Sequence, residues 1–481
     1  MAHTERSDAV MIDTSVIPAE ISRGVLLAGA GVSGRGVLGM LQQVGVPCIV
    51  ADDSEENREF AERTWGVRAV DTQLAHEYFC EVGVVVTSPG WRPDTPLLVD
   101  AASAQLDVIG DVELCYRLDR AGVFGPPREW LVVTGTNGKT TTTGMLAAMM
   151  QEASARTGKR ALACGNIGTA VADAVVDPQR VDVLVAELSS FQLHWSSQLV
   201  PNAAVLLNLA DDHIDWHGSF EAYAAAKAKV LKAPNAVVGI DDEHVQAIVA
   251  QNDRKQFFGF TLGQPEEGQV GVIDGKLVAR RDGSVLQLAD TNGIEPAGAA
   301  GVLDACAAAA VALLCGATSS EIREALAGFH VAGHRGAVVH EANGVRWIDN
   351  SKATNPHAAD SALTGAGTVV WVAGGQLKGA AIDEVVEKHV GRMRAVALLG
   401  VDRMEIYDAV KRLAPDLPIF ATDSTDPEVA MDAVVRFAGE HAQPGDSVVL
   451  APAAASLDMY PGMSARGDAF RAAARRHFSL Q

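Results

Sequence analysis

Short apolar runs recur along the chain, and most are followed by a small-residue or acidic turn and then by a stretch with helical spacing. GVLLAGAGVSGRGVLGMLQQVGVPCIVADDS, from Gly24, reads as strand, Gly-rich turn, helix and second strand ending in acids, a βαβ pattern. Another strand, VGVVVTSPGW, follows from Val82. Gly125-Pro126-Pro127 cannot continue a helix and reads as a linker. Beyond it, strands are predicted at Trp130–Thr134, Val181–Ala186 and Ala203–Asn208, with helical patterns between them. Such alternation predicts a mostly parallel sheet with helices on its faces.

Val237–Leu288 has shorter strand-like runs and turns, which predict an antiparallel subdomain. The Ala-rich stretch Ala297–Ala317 carries Asp304 and predicts a buried soluble helix, not a membrane span; the helical pattern ends near Gly328. Strands then read at Val345–Ile348, Thr368–Ala373, Ala395–Leu399, Ile419–Ala421 and Ser447–Leu450. The expected fold is α/β in three domains. Residues 1–125 form a Rossmann-like domain, 126–331 a P-loop-type parallel sheet with a small antiparallel part, and 332–481 a second Rossmann-like α/β domain.

Composition narrows the partners. With a formal net charge of -21 over 481 residues, a general affinity for nucleic acid or anionic membrane is excluded, although a local phosphate site is not. The six scattered cysteines form no C-x-x-C pair and read as reduced thiols. The opening residues MAHTERSDAVMIDTS hold acids and no apolar core, so a secretory signal is not expected and the location expected is cytoplasmic.

The strongest local chemistry is Val133-Thr134-Gly135-Thr136-Asn137-Gly138-Lys139-Thr140-Thr141-Thr142, between a strand and a helix. Small residues let backbone N–H groups approach phosphate oxygens, and the helix N-terminus adds positive potential. Lys139 would meet β- and γ-phosphates and the Thr140 hydroxyl a Mg²⁺ ion. Val133 stands at the first Gly position of G-x-x-x-x-G-K-[ST], a departure in spacing. The earlier turn Gly29-Ala30-Gly31-Val32-Ser33-Gly34 fits G-x-G-x-x-G, with Asp52 and Asp53 ending the next strand. A dinucleotide site, a nucleotide-sugar site and a purely structural turn would look alike here.

Glu187 (in AELSSFQL) and His213 (in NLADDHIDWH) follow strands of the P-loop section, with Lys227 in YAAAKAKV downstream. Ligands of open α/β sheets bind at strand ends. A carboxylate with an imidazole suits Mg²⁺ near a triphosphate, although imidazole is softer than Mg²⁺ prefers. Taken singly, His213 reads equally as a core histidine and Lys227 as a surface lysine; His194 and His217 read as ordinary. The third section offers His334-Arg335, Asp349-Asn350-Ser351-Lys352-Ala353-Thr354-Asn355, Gly374-Gly375-Gln376-Leu377-Lys378-Gly379 and Ala453-Ala454-Ala455-Ser456-Leu457-Asp458. All but the first follow predicted strands, where polar and cationic groups could hold a dicarboxylate and offset phosphate charge.

From about Gly24 to the C-terminus the chain resembles the Mur ligases. GTNGKTTT, GNIG, ELSSFQL, DDHIDWHG, HR, DNSKATN, GGQLKG and SLDMY occur in family order, and ELSSFQL with SKATN points to the D-glutamate-adding branch. That resemblance implies ATP-dependent phosphorylation of the UDP-N-acetylmuramoyl-L-alanine carboxylate and attack of the D-glutamate amine on the acyl phosphate, in a monomeric, cytoplasmic enzyme of peptidoglycan precursor synthesis.

It places Gly135, Thr136, Asn137, Gly138, Lys139, Thr140, Thr141, Asp304, Arg335, Asp349 and Asn350 on ATP. Two Mg²⁺ ions are implied, held by Thr140, Glu187, His213 and a Lys227 carbamylated by CO₂; with Lys139, the last three form the catalytic set. Val32, Ser33, Asp52, Asp53, Ser88 and Asn166 fall to the UDP-substrate, and Lys352, Thr354, Lys378, Ser456 and Leu457 to D-glutamate. Asn350 stands where the family has Asp, with Asp349 one place early, and Asp304 stands where an adenine-contacting Asn is usual. A sibling Mur ligase or a folylpolyglutamate synthase would share fold and P-loop. An NAD-dependent oxidoreductase would leave GTNGKTTT unexplained. A nucleotide-binding regulator would not need Lys227, Lys378 and Ser456.

Overall fold

A computed structural model describes residues 12–254, 256–330, 333, 336–364 and 367–478. They form two compact units. One comprises the described residues up to Leu209 with His213–Thr291 and Leu303–Gly328; the other comprises Ala210–Asp212, Asn292–Val302 and the described residues from Phe329 onward.

The first unit holds two sheets. One is wholly parallel, with β1 (Val25–Ala28), β2 (Cys48–Ala51), β3 (Arg68–Val70), β4 (Val84–Thr87) and β5 (Asp107–Gly110) in the order 3-2-1-4-5. The order reverses between β1 and β4, which opens a crevice at their carboxyl ends. The other sheet has nine strands: β6 (Glu129–Thr134), β7 (Ala161–Gly165), β8 (Val183–Glu187), β9 (Ala203–Leu206), β10 (Asn235–Gly239), β11 (Phe258–Phe260), β12 (Gln269–Ile273), β13 (Lys276–Arg281) and β14 (Ser284–Asp290). Their order is 14-13-12-11-10-9-6-8-7, so β6 lies centrally between β8 and β9.

Only β12–β14 run antiparallel, and they extend this sheet instead of forming a subdomain of their own. Their hairpins turn on Asp274-Gly275 and Asp282-Gly283, all four residues at positive φ, the backbone that two-residue hairpin turns demand. The Ala-rich segment forms the helix Ala299–Leu314, followed by a separate helix Ser319–Gly328. Its residues from Ala305 to Ala312 are fully buried, as the composition predicts.

One apolar core runs continuously from Ile21 through Val132 and Leu184 to Val245, joining the five-stranded sheet to the nine-stranded one. Buried polar groups brace that junction. Glu113 accepts from Arg117 Nε (3.0 Å) and from the backbone N–H groups of Gln198 (2.8 Å) and Leu199 (3.2 Å). Asp119 accepts from Arg128 Nη1 (2.7 Å) and Trp130 Nε1 (2.9 Å). Removing one member of such a buried pair typically costs about 3–5 kcal/mol. The Gly125-Pro126-Pro127 segment is therefore no free tether; Arg180 donates to the carbonyls of Phe124 (2.9 Å) and Pro126 (2.6 Å).

The second unit has one six-stranded sheet: β15 (Ala337–Ala342), β16 (Val345–Asp349), β17 (Val369–Ala373), β18 (Met393–Leu398), β19 (Ile419–Ala421) and β20 (Ser447–Leu450), in the order 15-16-20-17-18-19. All pairings are parallel except β15 with β16. Successive side chains of β17 alternate between two cores: Val369, Trp371 and Ala373 on one face, Val370 and Val372 on the other. Strands buried on both faces read as continuous apolar runs, which is why these were legible in the sequence. Among the described residues no helix is long and apolar enough to cross a membrane.

Candidate active site

The P-loop grows out of β6. Gly135 and Gly138 both have positive φ, and a Cβ on Gly138 would collide with the Asp304 carboxylate. The helix Lys139–Glu152 starts there with its first backbone N–H groups unpaired within the helix, the geometry that favours phosphate. Lys139 Nζ donates to the Thr136 carbonyl at 2.7 Å. The Thr140 hydroxyl makes no hydrogen bond with a described residue, and the Thr141 side chain is buried.

Asn208, at the end of β9, cradles the loop: its carbonyl accepts from Thr136 N–H (2.9 Å), its side-chain oxygen from Asn137 N–H (2.8 Å), and its amide donates to the Asn137 carbonyl (3.2 Å). Sequence reasoning missed this residue. Its position at a strand end beside β6 is the same signal that exposed Glu187.

Glu187 ends β8 and is 1% exposed. Asn166 braces it: the Asn166 side chain donates to Glu187 Oε1 (2.9 Å) and its N–H to the Glu187 carbonyl (2.8 Å). The expected substrate residue Asn166 thus engages a neighbour of the P-loop. Glu187 Oε2 is buried and has no hydrogen-bond partner among the described residues. A buried, unpartnered carboxylate oxygen is costly unless something cationic completes it, so this site fits a divalent ion.

Lys227 is buried on the helix Phe220–Ala228, with Nζ donating to the Gly135 carbonyl (2.8 Å) and lying 3.4 Å from Thr134 Oγ1. Nζ also lies over the Tyr223 ring, 4.9 Å from its centroid, and the Tyr223 hydroxyl meets Thr136 Oγ1 at 2.8 Å. The surface-lysine reading is therefore excluded. Asp304 lies at the same loop and accepts from Thr142 Oγ1 at 3.3 Å.

His213 sits at φ +54°, a conformation costly for a non-glycine residue and common where function holds it. Its ring packs edge-on against Phe191 of ELSSFQL, 4.7 Å between centroids. His217 and His194 join the same aromatic cluster. Burial, with His194 and His213 alongside, pulls the His217 imidazole down to about 4, and burial with Lys229 lowers His194 as well. Both are neutral packing groups at neutral pH. Among the described residues no three His, Cys, Asp or Glu side chains gather as a metal cage.

At the first sheet's crevice, Gly29 has φ +95°, and a Cβ there would fall 2.8 Å from Trp91 Nε1 and 2.9 Å from Ser88 Oγ. Ser88 Oγ donates to the Gly29 carbonyl (3.2 Å). Asp52 is spent internally, accepting from Ala30 N–H (2.8 Å), Ser54 N–H (2.8 Å) and Asn57 Nδ2 (3.1 Å). Asp53 instead lines a cavity of about 290 Å³ with Thr72, Gln73, His76 and Trp91. Of these four, the sequence reading named none. Val32 and Ser33 open the helix Val32–Val44 beside the turn. The loop after β4 is tied to the His213 segment, with Arg92 donating to the Asp215 carbonyl (2.8 Å) and Trp216 Nε1 to that of Gly90 (3.4 Å).

In the second unit, the loops after β16, β17 and β20 carry Lys352 and Thr354, Lys378, and Ser456 and Leu457 respectively. β20 lies between β16 and β17, so the three loops emerge side by side. Lys378 is exposed, at φ +57°, and makes no hydrogen bond or ion pair with a described residue. The Thr354 and Ser456 hydroxyls are likewise uncommitted. Leu457 is 70% exposed. Asp349 is buried and accepts from Ser351 N–H (2.8 Å), while Asn350 is half-buried. His334 and Arg335 lie outside the described residues.

A P-loop with a buried carboxylate and a buried lysine beside it, on one chain with adjacent strand-end loops that carry cations and hydroxyls, fits a nucleotide-dependent ligase. Residues 133–310 match the Mur ligase middle domain, and 334–454 match the Mur ligase, glutamate ligase domain. The chain is 55% identical over 459 residues to the UDP-N-acetylmuramoylalanine--D-glutamate ligase of Corynebacterium efficiens, covering 95% of this chain and 96% of that protein. It is 56% identical over 470 residues to the protein of the same name from Corynebacterium diphtheriae, covering 97% and 98%. The fold resembles that of a UDP-N-acetylmuramate-alanine ligase from Thermotoga maritima, with TM-score 0.54, 17% identity, and 93% and 98% of the two chains covered. The chain belongs to the Mur ligase family, ATP-dependent enzymes that form amide bonds.

Proposed function

We propose that the protein joins D-glutamate to UDP-N-acetylmuramoyl-L-alanine, a cytoplasmic step of peptidoglycan precursor synthesis. The observation that carries the reading is the set of three adjacent strand-end loops bearing the exposed Lys378 ammonium and the Thr354 and Ser456 hydroxyls, none of which bonds a described residue. A dicarboxylic amino acid needs that chemistry, and the relatives at 55% and 56% identity carry the name of the D-glutamate-adding enzyme. Residues 1–125 would bind the UDP-substrate, 126–331 ATP, and 332–481 the amino acid.

The reaction is an acyl activation followed by aminolysis. A substrate carboxylate oxygen attacks the γ-phosphorus of ATP, the bond to the β-phosphate oxygen breaks, and ADP leaves. The neutral amine of D-glutamate adds to the acyl carbon. The tetrahedral adduct loses a proton and expels inorganic phosphate, forming the amide. Phosphorylation replaces a poor leaving group by a good one, so the protein's task is positioning and charge compensation.

Lys139, Thr140 and the N–H groups from Gly138 to Thr141 would hold the phosphates, on a loop (Gly135, Thr136, Asn137) whose own N–H groups at Thr136 and Asn137 are fixed by Asn208; the resemblance assigns Asp304, Asp349, Asn350 and Arg335 to the rest of ATP. Mg²⁺, when bound, supplies charge neutralisation for the crowded anions. Glu187 and Thr140 would hold one ion; His213 and Lys227, the latter carbamylated, a second. The buried Lys227 amine beside the loop supports that modification, because a carbamate converts a cation into the oxygen ligand that Mg²⁺ prefers. Val32, Ser33, Asp53 and Ser88 would meet the UDP moiety, with Trp91 added and Asp52 acting through the turn it braces. Lys352, Thr354, Lys378, Ser456 and Leu457 would surround D-glutamate.

Phosphate release should require ATP, Mg²⁺, UDP-N-acetylmuramoyl-L-alanine and D-glutamate together. Equal turnover with L-glutamate or L-lysine would overturn the assignment. Gel filtration should give a monomer.

A further inference from the structure

Arg466 opens the C-terminal helix Met463–His477 and is 1% exposed. Its guanidinium is spent at three separate strand ends, on three backbone carbonyls and one hydroxyl. Nε donates to Ser351 Oγ (3.0 Å) and Nη2 to the Ser351 carbonyl (2.9 Å), just past β16. Nη1 donates to the Ala454 carbonyl (3.0 Å), past β20, and to the Gly374 carbonyl (3.3 Å), past β17. Ser351 Oγ in turn donates to the Met463 carbonyl at 2.7 Å, which closes the network on the helix that carries Arg466.

Carbonyl dipoles converging in a dry space repel one another unless a donor stands between them, and water cannot serve where the residue is sealed. A planar fork with five N–H donors satisfies several acceptors in one plane, which an ammonium cannot. Burial draws the guanidinium down to about 10, with Asp458 acting in the opposite direction, so it stays charged at neutral pH.

We infer that Arg466 is a positioning residue for the amino-acid site, holding the loops that carry Thr354, Lys378 and Ser456 in one register without touching the substrate. The inference rests on reading those loops as the D-glutamate site. The surrounding bonds fit this role. Gln376 and Ala455 exchange two backbone hydrogen bonds of 2.9 Å, linking the second loop to the third. Asp402 accepts from Leu377 N–H at 2.8 Å, immediately before Lys378, whose left-handed backbone persists only in a frame that enforces it. With the guanidinium removed, Ser351, Gly374 and Ala454 would lose their common tie, and the three loops could shift independently. A displacement of about 1 Å in groups that orient a substrate can cost on the order of a hundredfold in rate.

The test varies the amino acid and ATP separately in the phosphate-release assay, on Arg466→Lys and Ser351→Ala, with melting curves recorded alongside. The amino acid is whichever one supports turnover of the parent, so a wrong identity for D-glutamate appears in the parent and leaves this comparison intact. In Arg466→Lys the amino-acid KM should rise about tenfold or more while the ATP KM stays within about twofold. Ser351→Ala should move the same constant in the same direction by less. A lowered melting temperature with both KM values unchanged, or both rising together, would overturn the inference. If Arg466→Lys does not fold, Ser351→Ala decides, and an unchanged amino-acid KM there refutes the role.

Discussion

Glu187→Gln separates the function of the buried carboxylate from its structural cost. Among the described residues Oε1 has one donor, Asn166 Nδ2 at 2.9 Å, and Oε2 has none although it is sealed from solvent. An unsatisfied buried polar atom costs about 1–3 kcal/mol, more when charged. Glutamine keeps the shape and the Asn166 bond while removing the charge. The amide nitrogen that replaces Oε2 is equally unpartnered, so only the extra cost of charge is removed, and the metal-free variant should be more stable than the parent by about 1 kcal/mol, a melting temperature higher by about a degree or two. Added Mg²⁺ and nucleotide should raise the parent's melting temperature by mass action and the variant's much less. Phosphate release should fall by about a hundredfold or more, the usual scale for losing one preorganised electrostatic group. A variant that melts below the parent without Mg²⁺, or turns over within about threefold of it, would refute the reasoning.

Burial raises the Asp111 carboxyl to about 6, at the start of the helix Asp111–Ala121. Between its ordinary value and about 6 the folded state holds the proton that the unfolded state has released, so stability falls as pH rises through that window. Asp111→Asn should stabilise by about 2 kcal/mol at pH 8 and lose that gain below about pH 4, as read by denaturant titration. Gly138→Ala forces a Cβ toward Asp304 at φ +80°; it should cost about 1–3 kcal/mol and weaken nucleotide binding by calorimetry. Lys227→Ala should fold yet lose most turnover, with acetate restoring part; Lys227→Arg should stay inactive, and parent-like turnover there would make Lys227 a simple cation.

The fold was legible wherever local pattern and burial agree. β17 and β20 are apolar runs buried on both faces, and β20 was bounded to the residue. The antiparallel strands were visible as short runs, but their membership of the P-loop sheet depends on β11 pairing with β10 and β12, which no local pattern encodes. The residues proposed for the site stand at strand ends, a position that the same alternation of strand and helix makes readable. What escaped were groups acting on backbone: Asn208, whose partners lie in the P-loop, and Arg466. Arg466 shares a helical face with the buried Phe470, Ala473 and Ala474, so a lone cation on an apolar stripe was the available signal. Asp52 escaped in the other direction, because the sequence cannot distinguish an acid that bonds its own turn from one that faces a ligand.

The most direct test of the central claim follows oxygen. UDP-N-acetylmuramoyl-L-alanine labelled with ¹⁸O in both carboxylate oxygens is incubated with ATP, Mg²⁺, D-glutamate and the protein, and the products are weighed by mass spectrometry. An acyl-phosphate route predicts one ¹⁸O in the inorganic phosphate, ADP as the nucleotide product, and one ¹⁸O retained in the new amide carbonyl. Unlabelled phosphate, or label appearing in AMP, would contradict it.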